Sequence, residues 1–149
     1  MSEHVNSKWV GDMVAMHTKF GVNPVVREFD QTKARAFLEF RIKFLQEELD
    51  EMQKALDDFD AGNIDAITAA DDIVDAAIDL CVVAIGTLDA YDVNADEAWN
   101  RVWEKNMEKE VGVKASRPNP LGLPDLVKPE GWTAPTHRDN IGALTKVFQ

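Results

Sequence analysis

The chain has 149 residues, 45% of them hydrophobic, and 27 acidic against 16 basic side chains give it a net charge of -11. That length suits a single domain with a sizeable core, and the acid excess argues against a basic face that grips nucleic acid. The lone cysteine, Cys81, excludes an internal disulfide framework and a cysteine-built zinc cluster. No apolar run reaches about 20 residues, and the Met-Ser-Glu-His-Val start lacks a basic stretch ahead of an apolar one. A soluble, cytoplasmic protein with no membrane partner is expected.

In chain order, Trp9, Met13, Met16 and Phe20 recur at helical spacing from about Ser7 to Phe20, and Gly21 stops that helix. Asn23-Pro24 then breaks the pattern. A long second helix is predicted from about Gln31 to Phe59, free of Gly and Pro. Ala61-Gly62-Asn63 forms a turn. The third helix, about Asp65 to Ala90, is rich in Ala, Ile, Val and Asp. Asn94 or Asp96 caps a fourth, which carries Trp99, Val102, Trp103, Asn106 and Met107 and ends at Gly112. Pro118, Pro120, Pro124, Pro129 and Pro135 make the remainder an extended strap, closing in a short helix near Gly142 to Phe148. Period-2 alternation is absent. The expected fold is all-α, a bundle of four to five helices forming one domain over 1–149. Its helical core covers about 7–111, with the second to fourth helices at its centre, and its tail covers 112–149.

The second helix, drawn at about 100° per residue, gathers Phe37, Leu38, Phe40, Phe44, Leu45, Leu49, Met52 and Leu56 into one arc. Glu48, Glu51 and Arg41 fall inside that arc and Glu47 lies at its edge. The third helix is apolar nearly all round, yet Asp72, Asp75 and Asp79 fall within roughly 60° of one another on it. Acids three apart usually belong to a solvated face. Two such clusters inside the apolar arcs of successive helices instead need cations or protons. A short turn between antiparallel helices would bring them together around one or more Mg²⁺ ions. A calcium loop over Asp57 to Thr68 does not compete, because Phe59, Ala61 and Thr68 occupy ligand positions.

Glu47-Glu48-x-x-Glu51 followed by Asp72-x-x-Asp75 resembles the signature of the MazG-like all-α nucleoside triphosphate pyrophosphohydrolases. That group includes phosphoribosyl-ATP pyrophosphohydrolases and dimeric dUTPases and dCTPases, and its second pair is usually Glu-x-x-Asp. The stretch Ala76 to Thr87 is similar to the helix that follows that pair. Asn106-Met107-Glu108-Lys109 is similar to an Asn-Met-x-Lys element that contacts phosphates. Met16-His17-x-x-Phe20-Gly21 is similar to an element of the nucleoside pocket.

The resemblance implies hydrolysis of a nucleoside triphosphate to the monophosphate and pyrophosphate, in nucleotide-pool control. Phage members that act on dGTP suggest dGTP or GTP as substrate, then dUTP or dCTP. Glu48, Glu51, Asp72 and Asp75 are the expected ligands of two or more Mg²⁺ ions, with Mn²⁺ as a substitute. Glu47 is the candidate general base or an extra ligand through water, Glu48 and Lys109 its catalytic companions, and Asn106 and Lys109 the phosphate contacts on the Trp99–Val102–Trp103 stripe. His17, Phe20 and Trp9 are candidates for the base, and Trp132 for a cover over the site. Arg41 is read either as a substrate contact or as the buried partner of Asp79 or Glu48. Asp79 orients Lys109, Arg41 or a water. Cys81 is read as a small buried hydrophobe. A third helix apolar all round, like the family itself, suggests a homodimer or homotetramer. The alternative is a non-catalytic helical module that binds a nucleotide or a partner.

Overall fold

The computed structural model describes residues 5–116, 120–123 and 125–149. Residues 1–4 of the start read above, and Pro118 and Pro124 of the strap, lie outside them. Among the described residues the chain forms five α-helices, α1 (Lys8–Phe20), α2 (Val22–Arg27), α3 (Gln31–Asp60), α4 (Ala66–Ala90) and α5 (Ala95–Met107). Two short strands follow, β1 (Glu110–Gly112) and β2 (Asp125–Val127), and a 3-10 helix closes the chain at Leu144–Phe148. The fold is all-α, and none of these helices is long and apolar enough to cross a membrane. Contacts gather into two compact units, one running to Ala95 and taking in Ile141–Gln149, the other Asp96–Asn140.

Helix ends in the first unit follow local chemistry. Ser7, Asp30 and Asp65 each cap a helix, their side chains accepting from the N–H of Val10, Lys33 and Thr68. Gly21 ends α1 in the left-handed conformation, at φ 68°. Asn23-Pro24 does not break the helical pattern as expected, because both residues lie within α2. Pro24 falls in the first turn of α2, where its missing N–H has no partner to lose.

α3 and α4 pack as a hairpin whose buried contacts are mostly small: Ala34 and Ala55 on α3, Ala69, Ala76, Gly86 and Ala90 on α4. The tightest core lies at one end of that hairpin. There Val26, Ala34, Ala90, Tyr91, Val93 and Val147 form a buried cluster, and the Tyr91 hydroxyl donates to the Ala34 carbonyl at 2.6 Å. The C-terminal 3-10 helix supplies Val147 to it. It is tied on by Ala143 N–H to Tyr91 O at 2.7 Å and by Lys146 Nζ to Arg27 O at 2.6 Å. The apolar arc of α3 is wider than α4 covers, so Ile42, Leu49 and Leu56 remain at least half exposed.

In the second unit the fourth predicted helix ends earlier than expected. α5 stops at Met107, and Gly112 is a strand residue. β1 pairs antiparallel with β2, Glu110 opposite Val127 and Gly112 opposite Asp125. A Cβ at Gly112 would lie 2.7 Å from Val127 Cγ2, so this glycine serves the strand contact rather than a helix terminus. Three-residue strands are too short to show period-2 alternation. Arg101 holds the following segment by donating to both carboxylate oxygens of Asp139 at 2.6 and 3.1 Å and to Thr136 O at 3.0 Å.

Candidate active site

The α3–α4 hairpin brings the two acidic clusters together. Glu51, Asp72 and Asp75 line a cleft of about 280 Å³ with Lys54, Ala55 and Asp58. Glu48 faces the same group. Its carboxyl is held above the ordinary carboxylate range, first by burial and then by the negative fields of Glu51, Asp79 and Asp75. Its Oε2 is sealed from solvent without a hydrogen-bond partner. The inward turn expected of all these acids holds for Glu48 and in part for Asp79. Glu51, Asp72 and Asp75 are exposed on the cleft wall, which spares them most of the desolvation cost. Glu47 is exposed and does not line the cleft.

Among the described residues no group of three or more His, Cys, Asp or Glu side chains is arranged to hold a metal ion as it stands. The chemistry of the donors nevertheless suits a hard divalent cation, because all are carboxylate oxygens and one of them is buried and unpaired. Glu48, Glu51, Asp72 and Asp75 are the side chains that would hold it. Lys54 was missed in the sequence, although its place one turn after Glu51 is the signal that would have found it. Its Nζ pairs with Asp58, and it is the cation on the wall of an otherwise acidic cleft.

Arg41 does not pair with either acid considered for it. Its Nε donates to Thr87 Oγ1 at 2.9 Å and its Nη2 to Val83 O at 2.9 Å, and burial lowers its pKa. Neither Asp79 nor Glu48 is its hydrogen-bond partner. A Cβ at Gly86 would meet Met13 Cε at 2.8 Å, Arg41 Nη2 at 2.9 Å and His17 Nε2 at 3.4 Å. Gly86→Ala should therefore destabilise the protein by about 1–3 kcal/mol, read as a lower denaturation midpoint with unchanged m-value. An unchanged midpoint would show that Arg41 and Met13 yield freely.

His17 and Phe20 do not share a cavity. His17 is buried, its Nδ1 2.7 Å from Asp89 Oδ2, and Asn23 Nδ2 donates to Asp89 O at 2.8 Å. Phe20 is exposed beside Lys19. Asp79 and Asp89, both on α4, are about 15 Å apart along the helix axis. Trp9 lines an apolar cavity of about 160 Å³ between α1 and α4, with Asp12, Met13, Ile78, Cys81, Val82 and Ile85. Cys81 is half-buried in its wall.

In the second unit Asn106 and Lys109 meet directly, Lys109 Nζ donating to Asn106 Oδ1 at 2.9 Å. Lys109 lies past the end of α5 and not on the Trp99–Val102–Trp103 stripe. Trp132 stacks beside it, 5.3 Å from Nζ to ring centroid.

An all-α hairpin with facing acidic clusters is the architecture of the MazG-like nucleoside triphosphate pyrophosphohydrolase superfamily. Within that superfamily, residues 26–106 match the phosphoribosyl-ATP pyrophosphohydrolase family. That span exceeds half of the chain, and the protein belongs to this family. It is accordingly a hydrolase of phosphoric anhydrides. No curated protein matches the sequence.

Proposed function

We propose that the protein hydrolyses a nucleoside triphosphate to the monophosphate and pyrophosphate, with Mg²⁺ held by Glu48, Glu51, Asp72 and Asp75. The observation that carries this reading is Glu48, a sealed, unpaired carboxylate oxygen facing three further acids in a pyrophosphohydrolase family member. A bound divalent cation supplies charge neutralisation for the polyphosphate and lowers the pKa of water. Glu47, on the solvent side of Glu48, takes the proton of the attacking water. Asp79 adds to the field that tunes Glu48. Asn106 and Lys109 contact phosphate oxygens.

For the base, the Trp9 cavity offers an apolar slot, and Asp12 on its wall, paired with Lys8 through one carboxylate oxygen, is an acceptor suited to the N–H edge of guanine. This supports dGTP or GTP first, with dUTP and dCTP next. His17 and Arg41 then act from behind, fixing α1 and α3 on α4, and Phe20 borders the nucleoside from the surface. The exposed stripe Ile42, Leu49 and Leu56, spaced by seven, supports a homodimer or homotetramer. Cytoplasmic nucleotide-pool control is the role that fits.

A product assay with Mg²⁺ over the common NTPs, dNTPs and phosphoribosyl-ATP tests the reading. The expected result is pyrophosphate plus a monophosphate, fastest from a guanine nucleotide. Release of inorganic phosphate instead, or turnover of phosphoribosyl-ATP alone, would overturn the proposed reaction or its substrate.

A further inference from the structure

The hairpin of the second unit delivers two lysines to one aromatic ring. β1 starts directly after Lys109 and β2 ends directly before Lys128, and Glu110 pairs with Val127. Lys109 and Lys128 are thus the next facing positions in the same register. Their ammonium groups lie 5.3 and 4.9 Å from the centroid of Trp132. The ring is anchored: its Nε1 donates to Lys105 O at 2.9 Å, and its backbone N–H donates to Pro129 O at 3.1 Å. Asn106 Oδ1 holds Lys109 Nζ at 2.9 Å.

Like charges facing each other across a strand pair repel. Among the described residues neither ammonium is paired with a carboxylate, in a chain with 27 acids available. Other lysines here do find acids: Lys8 pairs with Asp12, Lys54 with Asp58 and Lys105 with Glu108. The ring's quadrupole and one amide oxygen are what hold this pair in place. Such an arrangement leaves two positive charges unneutralised, each within 5.3 Å of the centre of one ring, and an anion with several oxygens can meet both.

We propose that Lys109 and Lys128, mounted on Trp132, form a two-pronged site for a diphosphate group, with Lys128 a direct contact and Trp132 the positioning residue. The identity of the anion rests on the pyrophosphohydrolase reading above, while the pairing of the lysines does not.

The test is a titration of metal-free protein with inorganic pyrophosphate, following the Trp132 indole N–H by NMR, with Trp132→Phe to assign the signal. A saturable shift is expected. Lys128→Gln should weaken pyrophosphate binding about tenfold, and Lys128→Arg should restore most of it. Lys128 is exposed, so these variants should keep the fold, which circular dichroism checks. An unmoved indole signal, or equal affinity in Lys128→Gln, would overturn the site and leave the lysines as a clasp on the hairpin. Wild-type protein that binds pyrophosphate this way but hydrolyses no nucleotide would support the anion site and refute the proposed reaction. Normal hydrolysis with undiminished pyrophosphate inhibition in Lys128→Gln would do the reverse.

Discussion

Glu48→Gln should lower the rate of pyrophosphate release by about a hundredfold or more, the scale of losing one charge-stabilising group from an active site. The same substitution should make the metal-free protein more stable at neutral pH. Glu48 has its pKa raised in the folded state, so its contribution is fully favourable below the ordinary carboxyl value. That contribution is lost as pH rises through the raised value, because ionisation then places a charge beside Glu51, Asp79 and Asp75. Gln keeps the shape and removes the charge. Thermal melts with EDTA should show a higher Tm for Glu48→Gln at pH 7 and a smaller difference near pH 4. Mg²⁺ should raise the Tm of the wild type more than that of the variant. A variant that hydrolyses at the wild-type rate would remove Glu48 from the ligand set. A variant melting below the wild type in EDTA would mean that the carboxylate is structural. Activity bought with local instability is common where a site gathers like charges.

The second large effect belongs to Gly142. Its φ of 51° lies in the left-handed region, and a Cβ there would sit 2.0 Å from Tyr91 O and 2.8 Å from the Asp92 carbonyl carbon. Backbone atoms cannot rotate away as a side chain does, so Gly142→Ala must push the C-terminal segment off Tyr91. The Ala143 N–H to Tyr91 O bond and the burial of Val147 depend on that seat. Loss of about 2–4 kcal/mol is expected, seen as a clear fall in the denaturation midpoint and as rapid amide exchange from 143 to 148. A chain ending after residue 140 should show a similar loss. Wild-type stability in Gly142→Ala would mean that the 3-10 helix contributes little to the core.

Much of the helical architecture was legible locally. The starts near Ser7, Gln31 and Asp65 and the stop at Gly21 follow from the apolar periodicity, and the structure shows Ser7, Asp30 and Asp65 as the caps of those helices. Each signal acts within one turn of the residue that carries it. The acidic clusters were legible for the same reason, since a spacing of three or four puts side chains on one face. The hairpin was not. Its strands are three residues each, and the partner of Val111 is Leu126, which local pattern does not reveal. Reading Gly112 as a helix stop carried Lys109 onto α5, where it is not.

Burial was the larger gap. The helical wheel placed Glu48, Glu51 and Arg41 in one apolar arc, yet their surroundings differ. Glu48 has an oxygen sealed from solvent, Glu51 is exposed on a cleft wall, and Arg41 is spent on Thr87 and Val83. A wheel says which side chains share a face of a helix. It does not say how far the neighbouring helix covers that face, and here the contact is made largely by alanines, with Ile42, Leu49 and Leu56 left outside it.

By itself the sequence determined the all-α class, the ends of α1, α3 and α4, the two acidic faces and the family signature, because each is written in residues a turn or so apart. Only the tertiary structure decided which acid is sealed, that Trp9 rather than His17 and Phe20 lines the apolar slot, and that Lys109 and Lys128 share Trp132. Those outcomes depend on contacts between segments distant along the chain, whose energies come from packing and charge rather than from local periodicity.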